Sequence, residues 1–141
     1  MTVAIVTRCF PDDGSVLCPF IVRRLEELAK AGINVAVLRL RVHRLPRAKT
    51  VVFKWQANTS QNVFDVWDVE VSQFPRTYGM LFDKERMTAT LNSINPALIH
   101  THFVWDSAVA NWAWNELGIP YVVTAHGTDV HTYPRQSPWL R

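Results

Sequence analysis

The sequence predicts an α/β domain built on a doubly wound, mostly parallel sheet with helices on both faces. Two observations predict it. Short apolar runs alternate with amphipathic stretches along the chain, which is the pattern of βαβ units. Two of those runs, 97–103 and 121–129, pass directly from apolar into polar residues, and residues 107–117 between them read as a helix closed by Gly118 and Pro120. In an open parallel sheet the carboxyl ends of the strands share one edge, and ligands bind in the crevice there. His100, His102, His126, Asp106 and Asp129 are therefore expected on one rim.

Residues 3–7 form an apolar run that ends at Arg8-Cys9-Phe10-Pro11, a first strand. Pro19 suits the first turn of a helix, where its missing N–H has no partner to lose. Ile21, Leu25 and Leu28 then fall at helical spacing, with Arg23, Arg24, Glu26, Glu27 and Lys30 on the other face. Gly32 ends that helix, and residues 34–38 read as a second strand. This crossover implies parallel pairing. Residues 39–55 carry Arg39, Arg41, Arg44, Arg47, Lys49 and Lys54 with no acidic residue. They read as a solvated connection with a weak edge strand, or as a patch for acidic lipid headgroups or an anionic acceptor. Residues 68–72 alternate polar and apolar, as a half-exposed strand does. Residues 83–94 read as a helix stopped by Asn95-Pro96.

A chain of 141 residues can bury a real core, and residues 1–141 are expected to form one domain. Hydrophobic residues make up 48% and charged residues 19%, which sets disorder aside. The net charge of +3 fits an anionic small molecule or membrane surface without requiring nucleic acid. No run reaches the ~20 apolar residues of a membrane span. No basic segment precedes the first strand, so no signal peptide is read and a cytoplasmic location is expected, with the inner face of the membrane as an extension of it. Cys9 and Cys18 admit a disulfide, but reduced thiols are expected in that compartment.

His100 and His102 lie two apart on a strand, so their side chains share a face. They read either as rim histidines that tie loops together or as a zinc pair completed by His126 and Asp129. Phe103-Val104-Trp105 follows where many hydrolases place an adjacent Asp-His pair, and no metal is expected. Gly127 serves either close backbone approach by a ligand or a positive φ at the strand exit. Thr128 or Asp129 either caps a following helix or joins the site. His126 is the first functional candidate, because it leaves its strand at the crevice beside a small residue. The loop 10–15 follows the first strand, where phosphate loops lie, yet it has only Gly14 and two carboxylates that would repel phosphate. It reads as a solvated turn or as acceptors for sugar hydroxyls. Trp112 and Trp114 cannot share a helix face, so one packs on the sheet and the other is exposed. No Walker loop, Gly-x-Ser-x-Gly elbow or Cys-x-x-Cys pair is present.

Taken in order, these pieces resemble family 4 glycosyltransferases. The resemblance is carried by residues 3–6 leading into a proline-containing loop, by Leu28-Ala29-Lys30-Ala31-Gly32-Ile33-Asn34-Val35, by residues 96–103, and by Leu117-Gly118-Ile119-Pro120 running on to His126-Gly127-Thr128-Asp129. It implies a Rossmann-like domain, the N-terminal half of a GT-B fold, which mostly binds the acceptor while a C-terminal domain grips a nucleotide-sugar donor. It further implies a retaining reaction, no metal or other cofactor, and a sugar, lipid-linked sugar or polysaccharide acceptor. By the resemblance His126 is catalytic, close to the transferred sugar and its diphosphate. Gly14 matches the glycine of the first loop, and His102, Gly127 and Asp129 line the acceptor side. The first loop has one glycine where the family commonly has two, and the donor-binding domain has no counterpart in this chain. The chain therefore reads as an incomplete half, inactive alone. Two alternatives are a non-catalytic half that pairs with a separate donor-binding chain, and a His-rich metal-dependent hydrolase.

Overall fold

A computed structural model describes residues 1–11, 18–43, 52–73 and 79–136. Strand β1 (Thr2–Thr7), helix α1 (Pro19–Lys30) and strand β2 (Asn34–His43) form the first βαβ unit. The two strands run parallel from the pair Thr2–Asn34 to the pair Thr7–Arg39. Pro19 opens α1, and Ile21 and Leu25 form its buried stripe. Gly32 takes a φ of 75° just past the helix, a conformation that glycine adopts without strain.

Strand β2 runs beyond residue 38, and the reason is a correction to the reading of the basic segment. Arg39 is not solvated. It is buried and forms a bidentate ion pair with Asp68 on the neighbouring strand β4 (Val63–Gln73), with its guanidinium over the Trp55 ring. Leu40 packs in the core beside it. The far end of the segment becomes strand β3 (Val52–Asn58), an edge strand as expected, which pairs antiparallel with β4 and where Lys54 pairs with Asp65 at 2.9 Å.

Strand β5 (Met80–Leu81) pairs briefly with β4. Helix α2 (Lys84–Ile94) is capped by Asp83, whose carboxylate accepts from the Arg86 N–H at 3.0 Å. Strand β6 (Leu98–His102), helix α3 (Ser107–Leu117) and strand β7 (Tyr121–Thr124) complete a second βαβ unit, with β6 and β7 parallel. Among the described residues the sheet order is β3-β4-β2-β1-β6-β7.

Alternation along the central strands divides the core. Val3, Ile5 and Val37 meet Ile21 and Leu25 of α1 on one face. Ala4, Val6, Leu38 and Ile99 meet Met87 and Leu91 of α2 and Val109, Ala110 and Ala113 of α3 on the other. The sheet is thus doubly wound, Rossmann-like and mostly parallel, as the sequence predicts. The chain leaves β1 toward β2 on one side and later returns on its other side as β6. The crevice at the carboxyl ends of β1 and β6 is therefore a topological switch point. Of the two tryptophans on α3, Trp112 packs edge-on against Phe82 at 5.2 Å and Trp114 is exposed. None of the described helices is long and apolar enough to cross a membrane.

Candidate functional site

The two strands beside the switch point end together. His102 pairs in register with Thr124, and the Phe103 N–H donates to the Thr124 carbonyl at 2.9 Å. The chain then turns sharply: Phe103 takes φ 78° and ψ 139°. That region is unfavourable for a bulky L-residue, with a strain of about 1–3 kcal/mol that surrounding packing must hold. The packing is a row of rings. His100 stacks on His102 at 4.5 Å, and His102 meets His126 edge to edge, with ring centres 5.4 Å apart and planes 22° from parallel. His126 meets both Phe103 at 4.5 Å and Phe20 of α1 at 4.6 Å. Phe103 stacks on Trp105 at 5.0 Å, and the Arg8 guanidinium lies 5.3 Å from the Trp105 ring centre.

Within this row His102 Nδ1 and His126 Nε2 are 3.1 Å apart, and His100 Nε2 and Thr124 Oγ1 are 2.7 Å apart. Burial pushes the His102 imidazole down to about 4, helped by His100, His126 and Arg24. Burial also lowers His100, with Arg24 and His126 adding to the effect. His102 is neutral at physiological pH as a result. His126 is half-buried on the rim, and Phe20 beside it is 42% exposed. Polar imidazole edges thus sit next to an open aromatic face.

Two buried aspartates hold the loops that carry these rings. Asp129 lies in a π-type turn, Thr128–Thr132, and reaches back along the chain instead of capping a helix ahead of it. One of its oxygens accepts from the His126 N–H at 2.9 Å and the other from the Val104 N–H at 2.6 Å. It therefore clamps the β7 exit to the β6 exit. Asp106 accepts from the Arg8 N–H at 3.0 Å and from Arg8 Nε at 2.7 Å, and Arg8 also donates to Gln73 at 2.8 Å. Burial pushes the Asp106 carboxyl up to about 6 against the opposing pull of Arg8, with Asp129 adding a smaller upward push. Cys9 and Cys18 are free thiols. Burial, together with the Cys18 thiol beside it, pushes Cys9 up to about 12, too high for a ready nucleophile.

The structure brings His102, His126 and Gly127 together on the carboxyl edge, with Asp129 one layer behind them and without exposed surface. Gly127 has φ 75°, and a methyl group built there would meet nothing within 4 Å among the described residues. Its requirement is the backbone angle and not space for a neighbour. Gly14 lies outside the described residues. Among those residues no group of three or more His, Cys, Asp and Glu side chains is arranged to hold a metal ion. Sequence reasoning missed Phe20 and Arg8. Phe20 follows the helix-opening Pro19, one residue from the buried Ile21. Arg8 follows directly on β1, and a charge at that strand end was the available signal. A cleft of about 680 Å³ opens at the opposite, amino edge of the sheet, between Thr2, Asn34, Val63 and Ile94, and contains none of these groups.

The sequence pattern of Glycosyltransferase Family 4 matches residues 20–141. No curated protein matches the chain significantly. Among solved structures, the catalytic domain of starch synthase IV from Arabidopsis thaliana, bound to ADP and acarbose, superposes with a TM-score of 0.44 at 14% identity. The match covers 86% of this chain and 32% of that one, so the chain spans about a third of that domain's length.

Proposed function

The chain belongs to glycosyltransferase family 4, and from that premise we propose that it is the acceptor-binding N-terminal half of a retaining GT-B enzyme. That enzyme moves a sugar from a nucleotide-sugar donor to a sugar, lipid-linked sugar or polysaccharide acceptor. The observation that carries this reading is the pairing of His126 with His102 at 3.1 Å on the carboxyl edge beside the switch point. His126 hydrogen-bonds an oxygen of the transferred sugar or of its departing diphosphate, and so steadies charge in an oxocarbenium-like transition state. The exposed ring of Phe20 offers the apolar face of a sugar a surface to stack on. Groups from both walls of the cleft are needed to favour the transition state over the ground state, so the isolated chain binds without turning over.

Calorimetric titration of the chain with a panel of sugars, sugar phosphates and nucleotide sugars tests this. The expected result is weak binding of at least one acceptor-type sugar, in the region of 1 mM, and a loss of about fivefold or more in Phe20→Ala. Tighter binding of a nucleotide sugar than of every acceptor, or an unchanged affinity in Phe20→Ala, would overturn the reading.

A further inference from the structure

The hydrogen bond between His102 and His126 has one proton to share, and its direction decides what His126 can do. His102 is only 3% exposed, and its second ring nitrogen, Nε2, is buried without a partner among the described residues. Burial keeps the ring neutral, so one of its nitrogens bears hydrogen and the other a lone pair. If Nε2 carried the hydrogen, a buried N–H donor would be left unmade. If Nδ1 carries it, Nδ1 donates across the 3.1 Å contact to His126 Nε2 and only a lone pair is left unmatched. Orphaned buried N–H donors are rarer than under-satisfied acceptors, which favours the arrangement with the hydrogen on Nδ1.

We propose that His102 is a positioning residue that holds neutral His126 as its Nδ1–H tautomer, so that His126 meets its ligand as a hydrogen-bond donor and not as a proton-accepting base. With Nε2 of His126 occupied as acceptor, the hydrogen sits on Nδ1. Among the described residues nothing bonds that nitrogen. The group therefore matches ligand atoms that only accept: an ester, ring or phosphate oxygen. A hydroxyl proton cannot be removed there unless the His102 contact first reverses. This narrows the role of His126 in the function proposed above, and in that sense it rests on that reading. The tautomer itself is a property of the chain without substrate.

The test is long-range proton–nitrogen correlation NMR of the imidazole rings in the free chain at about pH 8, well above the ordinary histidine range. Wild type is expected to show His126 protonated mainly at Nδ1, the reverse of a free imidazole. His102→Leu removes the donor, and His126 is expected to relax to the mixture of a free imidazole, in which Nε2–H predominates. His102→Asn retains an N–H donor near the position of Nδ1 and is expected to restore the Nδ1–H form. A wild-type spectrum with His126 protonated at Nε2, or a His126 tautomer unmoved by His102→Leu, overturns the proposal. The wild-type spectrum decides the matter even if a variant fails to fold. Sugar binding measured in parallel separates the two ideas: retained binding with the wrong tautomer sinks this inference and leaves the acceptor site standing.

Discussion

Asp129→Ala removes the clamp between the β6 and β7 exits without touching the surface of the site. The carboxylate is fully buried and accepts from two backbone N–H groups, those of Val104 at 2.6 Å and His126 at 2.9 Å. A hydrogen bond to a charged group contributes about 1.5–3 kcal/mol, and removing one partner exposes the full penalty of the buried group left behind. Two such losses come to roughly 3–6 kcal/mol. Part of this is returned, because the variant no longer buries a charge, and about 3 kcal/mol is expected. That is a large share of the roughly 5–15 kcal/mol that holds a typical domain. Asp129→Asn retains one acceptor oxygen but turns an NH2 group toward the second N–H, so about half the loss is expected. Urea unfolding followed by fluorescence of the six tryptophans gives the stability. A second readout is independent of stability. Asp129 helps to push the Asp106 carboxyl upward, so Asp106 should titrate lower than about 6 in both variants. An Asp129→Ala protein within about 0.5 kcal/mol of wild type, the range of an ordinary surface change, would refute the clamp.

Three other outcomes are expected. Arg39→Met should lower stability by up to about 3–5 kcal/mol in urea unfolding, because it strips the bidentate partner from Asp68 and leaves, among the described residues, only the exposed Arg41, 4.0 Å away; a loss under about 1 kcal/mol would mean that Arg41 takes over the pairing. Gly127→Ala should lower stability by about 1–2 kcal/mol through the positive φ alone, and Gly127→Asn by less, since asparagine tolerates that region; equal losses in the two would contradict a purely backbone cause. Asp106 and His102 should oppose each other in the pH dependence of stability. The folded-state pKa of Asp106 is raised, so its contribution is lost as pH climbs from about 4 toward about 6, whereas that of His102 is depressed, so its contribution is lost as pH falls from about 6.5 toward about 4. Asp106→Asn should therefore lose stability more steeply than wild type on acidification through that window, and His102→Asn less steeply; parallel curves for all three proteins would contradict the opposing signs.

The parts of the fold that were legible in the sequence are those set by local pattern. The stripe Ile21 and Leu25 after Pro19, the stop at Gly118 and Pro120, and the apolar runs ending at His102 and Thr124 each follow from periodicity or backbone chemistry within a few residues. What escaped depends on distance along the chain. Arg39 looked solvated because its neighbours are basic; its partner Asp68 stands 29 positions away and is brought alongside by the pairing of β2 with β4. Asp129 read either as a cap for a helix ahead of it or as a site residue, yet its second acceptor contact reaches Val104, 25 positions back. Arg8 and Asp106 are 98 positions apart and meet only because β1 and β6 are neighbours. For the site, the shared face of His100 and His102 followed from strand alternation and is seen as ring stacking at 4.5 Å. The contact of Phe20 with His126 required knowing which way α1 lies across the sheet, and no local pattern holds that information.

The central claim is that sugar is handled on the ledge formed by the exits of β6 and β7. Amide and imidazole chemical-shift mapping of the chain, titrated with the acceptor-type sugar that binds best, addresses it directly. The largest changes are expected on Phe20, His102, His126 and Gly127, with the amino-edge cleft around Asn34 and Ile94 unmoved. Changes centred on that opposite cleft, with His126 silent at saturation, would contradict it.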